Sequence, residues 1–153
     1  MKKYIGITAI VAVFSLISCK PEKDTVAPTI DVNAESFPIQ CSEVKRGENF
    51  TFKARFLDNV ELGSFGIDVH NNFDHHNHST EVGECDNEPD KIAVNPYVLL
   101  KNYTIPAGLK TYDATVIIDV PSDVDTGDYH FVIKVTDKAG WQTLKGLSVK
   151  IVE

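Results

Sequence analysis

Pro121-Ser-Asp-Val-Asp125-Thr-Gly127-Asp-Tyr129 leads directly into Tyr129-His-Phe-Val-Ile-Lys-Val-Thr136. The first half is turn chemistry, rich in the Pro, Asp, Ser and Gly that bend a chain. The second half alternates: Tyr129, Phe131, Ile133 and Val135 share one side and His130 falls on the other. Period-two alternation with one apolar side marks a half-buried antiparallel strand. The same pattern extends outward in both directions. Tyr112–Val120 places Tyr112, Ala114, Val116, Ile118 and Val120 together, and Leu144–Val152 does so with Leu147, Val149 and Ile151. Upstream, Phe50–Leu57 aligns Phe50, Phe52, Ala54 and Phe56, Ser64–His70 aligns Phe65, Ile67 and Val69, and Thr29–Ala34 reads as a short first strand. Ile92–Leu100 is apolar but interrupted by Asn95-Pro96, which reads as an edge or bent strand. No 12-residue stretch outside the first 18 residues has a helical period. Short strands joined by Gly, Pro and Asp predict two packed sheets.

The approach to Tyr129 sharpens that expectation. Asp125-x-Gly127-x-Tyr129 resembles the tyrosine corner before strand F of immunoglobulin-like (Ig-like) domains. Asp58-Asn59 and Asp137-Lys-Ala-Gly140 resemble the B–C and F–G turns of bacterial Ig-like and cadherin-like modules. The expected fold is therefore all-β, an Ig-like antiparallel β-sandwich of about 7–8 strands over residues 29–153. Asp58 and Asp137 read as turn formers rather than calcium ligands, because Asp commonly bonds its own backbone in a turn. Tyr129, Phe131 and Trp141 read as core.

The N-terminus carries a compartment signal. Lys2 and Lys3 precede an uncharged apolar run of 13 residues, Ile5–Ile17, and Leu16-Ile17-Ser18-Cys19 follows. A positive start, an apolar stretch of this length and a small residue before the cut describe a secretory signal peptide over residues 1–18. The run falls short of the roughly 20 apolar residues a membrane-spanning helix needs. Leu-x-Ser-Cys resembles a lipobox, which makes Cys19 the expected lipid-bearing residue. Residues 19–28 then read as the lipidated cysteine and a polar tether. The expected location is the outer membrane, lipid-anchored, on its periplasmic or cell-surface face.

Removing residues 1–18 takes two lysines from the 15 basic residues, which leaves 13 against 22 acids and a formal charge of −9. Such a surface repels phosphate backbones and excludes nucleic acid as an expected partner. Of the three cysteines, Cys19 belongs to the lipobox. Cys41 and Cys85 remain as a pair, for which an oxidising compartment makes a disulfide the plain reading and metal ligation by one of them the alternative. The chain as a whole resembles a family of uncharacterised Bacteroidetes lipoproteins, a domain of unknown function. That resemblance is carried by the lipobox, by Leu62-Gly-Ser-Phe65 and by the block His70-Asn-Asn-Phe-Asp-His-His-Asn-His78. It implies an Ig-like fold and no particular activity.

The His block holds the chemistry. Four of the five histidines lie between residues 70 and 78: His70, His75, His76 and His78 around Asp74. Imidazole and carboxylate are common ligands of zinc and copper. A hairpin loop through Asn71–Asp74 would return the chain so that His75 or His76 faces His70. His76 and His78 share a side if the chain is extended. His70, Asp74, His75, His76 and His78 are thus the expected metal site, with zinc or copper as the ion. Asp123, Asp125 and Asp128 are expected at the same end as an acidic rim, and His130 is expected to point outward without a role. The competing readings are contact with an outer-membrane protein or glycan, and plain solvated surface. Neither a Gly-x-Ser-x-Gly elbow nor a His-Glu-x-x-His motif is present, so no enzyme is expected.

Overall fold

A computed structural model describes residues 23–31, 35–76 and 85–153. The described chain contains eight strands and no helix. They are β1 (Thr29–Asp31), β2 (Ser42–Lys45), β3 (Asn49–Leu57), β4 (Leu62–Asn71), β5 (Leu99–Thr104), β6 (Thr111–Asp119), β7 (Gly127–Asp137) and β8 (Gln142–Val152). One sheet has three strands in the order β1-β3-β6, the other five in the order β2-β8-β7-β4-β5. In immunoglobulin lettering the larger sheet carries G, F, C and C′ side by side, opposite B and E. The expected all-β sandwich is present. One local expectation is corrected, and one strand is added. Residues 92–98 form no strand, and the edge strand begins only at Leu99. Ser42–Lys45, too short to show a period, pairs with β8, and does so in parallel. β1 covers the first three residues of the expected opening strand, and residues 32–34 of that expectation lie outside the described residues.

Alternation explains the core. Phe52 and Phe56 from the small sheet and Phe65, Ile67, Phe131, Ile133 and Val135 from the large one are almost fully buried. The aromatic rings interlock across the two sheets. Phe52 lies 5.8 Å from Phe131 and 6.2 Å from Phe65, centroid to centroid, and Phe56 lies 5.1 Å from Phe65. Each such ring removes a large apolar area from water and gains offset contact with its neighbours.

Tyr129 forms the expected corner. Its ring is fully buried, and its hydroxyl donates to the Asp125 carbonyl at 2.7 Å, four residues upstream. The same oxygen accepts the Tyr97 N–H at 3.1 Å. One hydroxyl thus satisfies two backbone groups that would otherwise be buried unpaired. The Tyr97 hydroxyl in turn donates to the Asp119 carbonyl at 2.9 Å. Burial, with the nearby Asp119 and Tyr103 adding to it, pushes the Tyr97 phenol from 10.0 up to about 12.

Replacing Tyr129 by Phe should therefore cost about 1–3 kcal/mol in urea unfolding, the penalty for stranding buried polar groups. Tyr97 adds a pH dependence. Its folded value lies above its unfolded one, so its contribution is complete below pH 10 and is lost as the pH rises towards about 12. Stability should fall by about 1–2 kcal/mol over that window, and Tyr97→Phe should flatten the fall.

Candidate metal centre

The register of the large sheet creates the site. β4 and β7 run antiparallel with His70 directly opposite His130. Phe65, Ile67 and Val69 turn inward, so His70 lies on the outer side, and on β7 His130 has the same parity. Directly opposed residues on one side of a sheet have their Cβ atoms only about 5 Å apart. The ring centroids of His70 and His130 lie 5.3 Å apart.

The chain after β4 then folds back over this pair. Phe73 holds it there. Its ring is buried edge-on against Tyr129, 5.2 Å between centroids, with the Lys91 ammonium 4.5 Å over its face. The Asn72 N–H donates to the Asp128 carbonyl and the Lys91 N–H to the Phe73 carbonyl. His75 takes the left-handed backbone conformation, φ 50°. This turn sends consecutive histidines in different directions. The His75 Nδ1 lies 2.7 Å from Asp90, whereas the His76 ring stacks on His70 at 5.9 Å and meets His130 at 4.8 Å.

His70, His76 and His130 thereby form one group, with a ligand atom of each within 4.8 Å of the others. Two carboxylates orient the rings. Asp68 lies 2.9 Å from the His70 Nδ1, and Asp74 lies 2.5 Å from the His76 Nδ1. The hydrogen bond from His76 holds the Asp74 carboxyl below its ordinary value. His130 Nε2 bonds the His76 carbonyl at 3.0 Å. A carboxylate or carbonyl on one ring nitrogen fixes the tautomer and directs the opposite nitrogen to a metal.

His70 and His76 therefore meet as the loop argument expects. His75 stands apart, engaged by Asp90, and Asp74 acts as the partner of His76. His78 lies outside the described residues. His130 is the correction: it occupies the outward side of its strand, yet it is only 1% exposed because the loop after β4 covers it. The acidic rim is also corrected in part. Asp125 accepts the N–H groups of Val94 and Asn95, and Asp128 accepts that of Glu88, so both carboxylates hold loop backbone.

Cys41 and Cys85 are joined, which removes the reading of Cys85 as a metal ligand. The bridge lies beside the histidines. His130 pairs with Ser148 of β8, and the Ser148 carbonyl accepts the Cys41 N–H at 2.8 Å.

Comparison with known families gives a match over residues 17–152, which covers all eight strands and the histidine group. The chain belongs to the DUF4625 family. The family's description, a domain of unknown function, assigns no chemistry to these residues. No curated protein matches this DUF4625 chain.

The disulfide closes a loop with a sequence separation of 44. In the chain-entropy model it stabilises the fold by about 4 kcal/mol. Reduction under native conditions should lower the urea midpoint accordingly and expose two further thiols, counted with a chromogenic disulfide reagent in denaturant.

Proposed function

We propose that this protein is a secreted, lipid-anchored domain that binds a transition metal, zinc or copper, through His70, His76 and His130. The observation that carries this reading is the convergence of three imidazoles within 4.8 Å, two of them backed by carboxylates. Three neutral imidazoles form a common zinc donor set, and such a set keeps a fourth position open for water or an outside ligand. Two nitrogens on one tetrahedral zinc lie about 3.3 Å apart. The rings must then close inward by up to about 1.5 Å, a movement the partly exposed His70 and His76 can make around the fixed His130. The residues present fit such an ion.

The signal-like segment 1–18 and Cys19 support secretion and lipid anchoring, and they imply an outer-membrane location that would present the site outside the cytoplasm. An extracytoplasmic metal scavenger or buffer suits this arrangement. The adhesive or accessory reading, with a protein or glycan partner, draws on the exposed Leu100 and Leu144 on the larger sheet.

Calorimetric titration of the purified protein with zinc and with copper should give one site of micromolar affinity or tighter. His70→Ala, His76→Ala and His130→Ala should each abolish it. Asp68→Asn and Asp74→Asn should weaken it about 10–100-fold, as loss of an orienting carboxylate does. His75→Ala should leave it unchanged. Titration without heat, or equal binding by the His130 variant, would remove the proposal. Acyl labelling that persists in Cys19→Ser would remove the lipid anchor.

A further inference from the structure

The opposite end of the β4–β7 pair carries a second group of ligands, of a different chemical kind. Asp58 lies in the turn between β3 and β4, and Asp137 closes β7 before the turn into β8. Asp24 reaches them from the segment that precedes β1. A carboxylate oxygen of each lies within 4.8 Å of the others.

The two turn aspartates divide their oxygens between two tasks. Asp58 Oδ1 accepts the N–H groups of Val60 and Glu61 at 2.8 and 2.6 Å. Asp137 Oδ1 accepts those of Gly140 and Trp141 at 2.6 and 2.7 Å. Both act as turn formers, as the sequence implies. The second oxygen of each is sealed from solvent and has no hydrogen-bond donor among the described residues. Asp137 as a whole is only 4% exposed. Burial of an ionised carboxylate oxygen without a donor or a cation is costly, and here two such oxygens sit beside a third carboxylate. Among the described residues no lysine or arginine pairs with any of the three. Lys110, which reaches this turn, donates to the Asn59 carbonyl instead.

We propose that Asp24, Asp58 and Asp137 bind a hard divalent cation of the calcium class. Oxygen ligands at 2.3–2.6 Å from one ion lie up to roughly 5 Å apart, which matches the observed spread. Three carboxylates without imidazole or thiolate select a hard ion over zinc or copper. Water would complete the coordination. The ion also has a structural consequence. Asp24 belongs to the leader, whose backbone is already engaged: the Asp24 carbonyl accepts the Trp141 indole N–H at 3.1 Å, and Asn59 donates to its side chain at 3.1 Å. A cation shared by Asp24 and the two turns would clamp the leader to the sandwich.

Trp141 is the only tryptophan in the chain and lies against this group, which makes it a natural antenna. Terbium, a luminescent stand-in for calcium, should bind the purified full chain and emit on excitation of the indole. Calcium should displace it with a dissociation constant of about 0.1–1 mM, the range of extracellular calcium modules. Calcium should also slow proteolysis within residues 20–28. Asp58→Asn and Asp137→Asn keep the turn-forming Oδ1 and remove the charge, so each should weaken calcium binding at least tenfold while the variant stays folded. Asp24→Ala, which touches no strand, should do the same and abolish the proteolytic protection. Trp141→Phe should lose most of the terbium emission yet retain calcium binding by calorimetry. His76→Ala should change none of these readings, which separates this site from the histidine centre. Absence of sensitised emission, or equal calcium affinity in the Asp24 and Asp137 variants, would overturn the proposal.

Discussion

The hydroxyl of Tyr129 holds together the end of the sandwich on which the histidines stand. It fixes the Asp125 carbonyl and the Tyr97 N–H, and so joins the turn before β7 to the long connection before β5. The ring beneath that hydroxyl is the surface on which Phe73 rests. Phe73 determines where the loop after β4 lands, and the loop determines whether His76 reaches His70 and His130. A single buried phenol therefore acts twice, through its oxygen on the fold and through its ring on the site. Each of its contacts joins segments more than twenty residues apart or closes a tight turn, which makes the corner a coupling point rather than a local ornament.

Charged side chains near the histidines act mostly on the backbone. Asp125 and Asp128 accept loop N–H groups, and Lys91 donates to the Thr126 carbonyl while covering Phe73. Long connections without regular structure leave many backbone groups unpaired, and side chains take up that role when no ladder can. Asp68 and Asp74 are different: they face imidazoles and shape their hydrogen bonding.

Most of the fold was legible because alternation is strong in five of the eight strands, from Phe50 to Ile151. The tyrosine corner was legible because its turn chemistry is local. β2 was not, since four residues cannot display a period and a parallel partner lies about a hundred positions away. The site was half legible. His70 and His76 are close in sequence, and a hairpin brings them together. His130 is sixty residues from His70, and only the strand register shows that they are opposed. The parity of both residues was available, since each lies opposite the apolar side of its strand. The burial of His130 was not, because it depends on a loop that covers the sheet. Likewise, sequence identified Asp58 and Asp137 as turn residues but offered no sign that each keeps one oxygen sealed and unused.

Strand polarity gives the molecule a direction. The segment before β1 joins the sandwich at the turn end, and the imidazoles stand at the other end of the same two strands. Eight residue-to-residue steps along β4 lead from Leu62 to His70, a rise of roughly 26 Å. A chain tethered through its N-terminus would hold this imidazole tip away from the surface that carries it, like a reading head on a short mast. On the proposed anchor, an ion arriving from outside would meet the histidines before the acidic group at the other end.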